Sequence, residues 1–163
     1  MKPLLEVRHL SISFHTYRGL LEAVHAVSLT VHAGETVGIV GESGCGKSVT
    51  SQAVMKLLPQ RAAEYQSGEI LWEGRDILPL SERDMNGLRG RDMAMIFQAP
   101  MTSLNPVLTI GAQLCEGLAL YQKLSKNEQR EKALELLKAV GLTSPEKRLD
   151  QYPHQLSGGM RQR

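Results

Sequence analysis

The run Gly41-Glu42-Ser43-Gly44-Cys45-Gly46-Lys47-Ser48 constrains this chain more than any other feature, because it fits the pattern G-x-x-x-x-G-K-[ST]. Such a loop wraps its backbone around an anion. Its glycines allow conformations and close approaches that side chains would block. The helix that follows aims its first N–H groups and partial positive charge at the same point. Lys47 is suited to neutralise β- and γ-phosphate oxygens, and the Ser48 hydroxyl to hold a divalent cation. With average composition, such a match arises about once in a few hundred chains of this length. The context agrees. Thr36-Val37-Gly38-Ile39-Val40 reads as a strand buried on both faces, and Ser48 to Leu58 reads as a helix stopped by Pro59. Alone, the loop predicts a nucleoside triphosphate and leaves the class of protein open.

Around this loop the first half of the chain reads as strands. Leu5 and Val7, then Leu10, Ile12 and Phe14, form two period-2 runs separated by a break, the mark of a bend or bulge. Val27, Leu29 and Val31 alternate before a turn at 32–35. Glu69 to Glu73 reads as a short strand in which Trp72 packs, and Met93 to Phe97 as a second buried strand ending at Gln98. From about Ala99 to Pro153 the pattern is helical. Ser125-Lys126-Asn127-Glu128 is a capping box, and Gly141 a natural helix stop. The expected architecture is α/β. Residues 1–98 form a nucleotide-binding core with a β part, 99–155 a helical subdomain, and 156–163 a separate short motif.

Charge and cysteine content narrow the remaining classes. A net charge of +2 over 163 residues gives no concentrated basic face for nucleic acid. No run approaches the roughly 18–20 apolar residues of a membrane span, and Met1 to Glu6 lacks the apolar stretch of a secretory signal. Cys45 and Cys115 form neither a disulfide framework nor a metal-ligand spacing, which suits a reducing cytoplasm. The five histidines, with Arg89, Arg91, Lys123, Lys126 and Lys132, read as solvated surface.

Leu156-Ser157-Gly158-Gly159-Met160-Arg161-Gln162-Arg163 resembles the signature sequence of ABC ATPases, and its separation from the phosphate loop is similar too. Phe97-Gln98-Ala99-Pro100-Met101-Thr102-Ser103-Leu104-Asn105-Pro106, taken with that signature, resembles the dipeptide, oligopeptide and nickel importer ATPases of bacteria. Met160 stands where the wider family usually has glutamine. The resemblance implies a P-loop NTPase fold with an antiparallel β part, using ATP and Mg²⁺. It places Gly41, Glu42, Ser43, Gly44, Cys45, Gly46, Lys47, Ser48 and Val49 at the phosphates, and Ser48 and Gln98 at the metal. Phe14 would lie against adenine, with Tyr17 as the alternative ring. In such proteins two ATPase subunits clamp two ATPs head to tail, so Ser157, Gly158 and Gly159 would meet the γ-phosphate held by the partner.

The implied partners are transmembrane permease subunits, a second ATPase subunit of the same or different sequence, and indirectly a substrate-binding protein. The implied location is peripheral, on the cytoplasmic face of the bacterial inner membrane. The implied role is uptake of peptides or a related cargo, with no nucleic acid involved. Other readings are a piece that at most binds nucleotide, a soluble ABC ATPase acting on DNA or ribosomes, and a small-metabolite kinase. The kinase leaves the signature unexplained. The soluble class usually carries a coiled-coil or zinc insertion, and none is visible.

In the family a Mg²⁺-binding aspartate, a catalytic glutamate and a switch histidine follow the signature. No run of four aliphatics followed by Asp-Glu occurs in this sequence; Ile70-Leu71-Trp72-Glu73 is nearest and does not qualify. No general base is therefore assigned. The expectation is that these 163 residues alone are poorly stable, expose strand edges and apolar faces, and do not turn over ATP.

Overall fold

Alternating apolar residues in the first half of the chain build an antiparallel sheet. In a computed structural model describing residues 2–97 and 103–163, β1 (Pro3–Thr16) pairs with β2 (Gly19–His32) on one edge. On its other edge it pairs with β3 (Ala63–Trp72), and β4 (Arg75–Asp76) completes the order β2-β1-β3-β4. The break expected in the first strand is a bulge at His9, whose φ is 45°. Arg8 and His9 are both exposed, and this extra outward residue keeps Val7, Leu10 and Ile12 together in the core. β2 bulges at Ala26 (φ 46°), and β3 has Gly68 at φ 100° beside them. Serine hydroxyls accept from the amides at two of these irregularities: His9 N–H donates to Ser28 Oγ and Ala26 N–H to Ser11 Oγ, each at 2.9 Å. Only glycine fits at 68, since a Cβ there would lie 2.6 Å from both Arg8 O and Leu10 Cα.

The helix after the phosphate loop, α1 (Lys47–Val54), ends sooner than Pro59 requires. Leu57 N–H bonds Gln52 O and Lys56 N–H bonds Ala53 O, both at 2.9 Å, closing the helix with Lys56 at φ 50°. A glycine usually fills that left-handed position. Here the lysine ammonium donates to Leu78 O (2.8 Å) and Leu80 O (2.7 Å), which favours the stop there. α2 (Glu82–Leu88) follows, with Ser81 Oγ accepting from Asp84 N–H as its N-cap.

Two expected strands do not form. Thr36 to Val40 has no regular structure and joins no ladder, and Val37, Ile39 and Val40 are exposed, Val40 to 96%. Met93 is buried, yet Ile96 is 94% and Phe97 46% exposed, and 94–97 forms no strand. A strand buried on both faces needs neighbours along both edges. Among the described residues every sheet pairing is antiparallel and lies within β1–β4. Apart from an isolated bridge at Met93, these two segments therefore join no sheet.

By packing, the chain divides between Arg89 and Gly90. The second unit holds α3 (Ile110–Tyr121), α4 (Lys126–Ala139), α5 (Pro145–Leu149), a 3₁₀ turn (Pro153–Gln155) and α6 (Gly158–Gln162). Leu118, Leu137, Leu142, Leu149 and Leu156 close around Ile110 and Ala133 as its core. The capping box of α4 is complete: Ser125 Oγ accepts from Glu128 N–H, and Glu128 Oε2 accepts from Ser125 N–H at 2.7 Å. Gly141, at φ 71°, follows its C-terminal end. Among the described residues no helix is long and apolar enough to cross a membrane.

Candidate phosphate-binding site

The loop between residue 40 and α1 owes its course to three glycines. Gly44 (φ 86°) and Gly46 (φ 93°) take left-handed conformations. A Cβ on Gly46, the N-cap of α1, would meet Ala23 O of β2 at 2.6 Å, whereas one on Gly44 would enter open space. Gly41 lets Cys45 pack over it, because a Cβ there would sit 2.6 Å from Cys45 Sγ. The result is a turn held against the sheet at its exit and open at its crown.

Lys47 closes this turn. Its Nζ donates to Gly41 O (2.7 Å) and Glu42 O (2.6 Å) and lies 3.5 Å from Cys45 Sγ. The ammonium thus spans the loop it belongs to, where an arriving anion would meet it. The amides of Lys47, Ser48 and Val49 have no preceding helical turn to donate to. No acidic residue stands in the first turn of α1 and no side chain caps it. Nothing on the helix itself therefore competes with an external anion for those N–H groups. A Cβ-free crown at Gly44 and unclaimed amides fit a phosphate chain.

The Ser48 hydroxyl is exposed and has no partner among the described residues. These residues hold no cluster of three or more His, Cys, Asp or Glu able to bind a metal ion. A cation here would rest on one hydroxyl, ligand oxygens and water, a donor set that suits Mg²⁺.

Phe14 lies near the end of β1, half-buried, across from Leu21 of β2 and Ala63 of β3. Tyr17, the alternative ring, is 92% exposed in the β1–β2 turn, with the Arg18 guanidinium 5.4 Å from its centre. Gln98 lies outside the described residues. Residues 41–49 gather around one turn, and Phe14 belongs to the sheet of the same unit.

Ser157, Gly158 and Gly159 belong to the helical unit. Ser157 Oγ accepts from Met160 N–H at 3.3 Å and starts α6, which Leu156 anchors in the core. A Cβ on Gly158 or Gly159 would meet nothing within 4 Å. Packing inside the chain does not demand glycine at either position.

The sequence misled at Arg89. Its side chain is only 16% exposed rather than solvated. It donates through Nε to Met55 O and through Nη2 to Lys56 O, both at 2.8 Å, and through Nη1 to Glu82 Oε2, also at 2.8 Å. The hydrogen bond from Arg89 holds the Glu82 carboxyl below its ordinary range. Tyr65 of β3 adds a bond from its hydroxyl to Ala53 O at 3.2 Å, and burial pushes that hydroxyl up to about 12. Glu82 stands seven positions from Arg89, two turns along α2, and hinted at the ion pair. No pattern pointed to carbonyls more than thirty residues away.

A sequence profile described as ABC transporter matches residues 24–163. The oligopeptide transport ATP-binding protein OppD of Bacillus subtilis is 54% identical over 98% of this chain and 45% of its own length. The dipeptide transport ATP-binding protein DppD of the same organism is 53% identical over 100% of this chain and 49% of its own. The chain thus spans about half the length of the curated relatives it matches. The dimeric structure of the bacterial cassette MJ0796 superposes with a TM-score of 0.82, at 26% identity, over 97% of this chain and 65% of that one.

Proposed function

Since the chain belongs to the ABC transporter family, we propose that it supplies the nucleotide-binding part of an ATPase subunit that drives uptake of peptides. The observation that carries this reading is the open start of α1, which has unclaimed amides, Lys47 folded back over the glycine loop and a free Ser48 hydroxyl.

In this reading Lys47 gives up or shares its bonds to Gly41 O and Glu42 O as phosphate oxygens arrive. The loop amides then hold the β-phosphate while Ser48 orients the cation. Mg²⁺, when bound with the nucleotide, offsets charge on the phosphoryl oxygens. Phe14 is proposed to flank the adenine and Gln98 to reach the metal. The residues at 41–49 act by preorganised electrostatics: they face developing negative charge with dipoles already fixed by the fold.

Ser157, Gly158 and Gly159 are proposed to face the nucleotide of a second ATPase subunit. Supporting this, the glycines answer no need inside the chain, so their small size suits something outside it. Attachment to transmembrane permease subunits, on the cytoplasmic side of the membrane, completes the proposal.

Calorimetric titration of the native protein with Mg-ATP tests the nucleotide part. Lys47→Ala is expected to weaken binding at least about tenfold, the worth of a lost charged hydrogen bond. Unchanged affinity would refute it. Cells whose only copy carries Lys47→Ala are expected to stop accumulating labelled dipeptide; normal accumulation removes the transport part.

A further inference from the structure

The helix that presents the phosphate-binding amides is fixed at its far end. α1 has eight residues, about 12 Å of helix, and buries only Thr50 and Ala53 along its length. Its N-terminal end has no side-chain cap. Its C-terminal end is held by side chains from elsewhere: Tyr65 takes Ala53 O, and Arg89 takes Met55 O and Lys56 O. With the two amide bonds from Lys56 and Leu57, the carbonyls of Gln52, Ala53, Met55 and Lys56 all have partners. Lys56 ties the same corner to Leu78 O and Leu80 O.

We propose that Arg89 is a positioning residue for the phosphate site, acting through α1. This rests on the reading of Gly41–Ser48 as a phosphate loop. A short helix is stiff, so a tilt at one end is a displacement at the other. Gly46 seats the start of α1 against Ala23 of β2, and the side chains that grip its C-terminal end then set its direction. A guanidinium suits the task because its planar fork reaches two successive carbonyls at once, where an ammonium offers a single point. Its charge also matches the negative end of the helix. Glu82 and Asn86 complete the hold: both accept from Nη1, at 2.8 and 3.2 Å, and fix the fork in plane.

The test uses the full-length native protein and Mg-ATP. Arg89→Met keeps the aliphatic stem and removes every donor. Measured well below each variant's melting temperature, its Kd for Mg-ATP is expected to rise about tenfold. Arg89→Lys, which can hold only one of the two carbonyls at a time, is expected to recover part of that loss. Native affinity in folded Arg89→Met, or Arg89→Lys no better than Arg89→Met, overturns the proposal. Lys47→Ala run alongside separates the two readings. If it too binds as the native protein does, the phosphate loop itself has been misread. If Lys47→Ala loses affinity and Arg89→Met does not, only the positioning role fails.

Amide hydrogen exchange on the unsubstituted protein gives a measurement independent of how the variants fold. Saturating Mg-ATP is expected to slow exchange at the Lys56 and Leu57 amides as well as at residues 46–49. Protection confined to 46–49 overturns the proposal.

Discussion

Lys56 sits in a backbone conformation that costs an L-residue roughly 1–2 kcal/mol, and two carbonyls on its ammonium offset that strain. The balance makes an unusual order of substitutions predictable. Lys56→Ala keeps the strain and loses both bonds, and is expected to destabilise by about 2–3 kcal/mol. Lys56→Gly loses the same bonds but releases the strain, so it should be about 1 kcal/mol milder. In an ordinary helix interior glycine is the worse of the two. Urea midpoints at unchanged m value decide it, and alanine at or above glycine would contradict the account. This corner of the molecule was closed to sequence reasoning for a plain reason. The phosphate loop is legible because its chemistry is contiguous, with glycines, lysine and serine inside eight positions. Lys56 and Arg89 do their work on backbone carbonyls, and a carbonyl carries no sequence.

Among the elements, legibility followed the range of the forces. The capping box of α4 and the bulge in β1 are local, and both appear where the residue pattern placed them. Segments 36–40 and 93–97 have strand composition, but a strand is a relation between two segments, and none of the described residues pairs with them in a sheet. The cap supports a prediction of its own. Ser125→Ala removes the acceptor for Glu128 N–H and is expected to cost about 1 kcal/mol. The bonds to Ser125, its side chain first, hold the Glu128 carboxyl below its ordinary 4.5. A depressed carboxylate stabilises the fold above 4.5, and that contribution fades as pH falls through the lower folded value. Glu128→Gln, which can still accept from Ser125 N–H, is expected to flatten this acid limb. The check is the melting temperature followed from neutral pH to below 4.5; a limb as steep as the native one would count against it.

For the whole molecule, the exposed apolar residues Val37, Ile39 and Val40 offer a surface for self-association. An exposed apolar segment outside any sheet invites pairing with another chain. Prepared as these 163 residues, the protein is expected to bind an apolar dye and to elute from gel filtration as concentration-dependent multimers. Ile39→Lys with Val40→Lys should reduce both, and no change in either would show that the association lies elsewhere. The glycines at 158 and 159 lead in the opposite direction. Each has room for a side chain, so Gly158→Ala and Gly159→Ala are expected to leave the unfolding free energy within about 0.5 kcal/mol of native. Under the proposed function, a screen that scores protein abundance would pass both alleles, while one that scores growth on peptides as sole nitrogen source would reject them. If the subunit pairs with a second ATPase as proposed, such a product, full-length in level and empty in output, would also occupy assemblies alongside native copies. Inheritance would then read as dominant a lesion that no measure of folding can see.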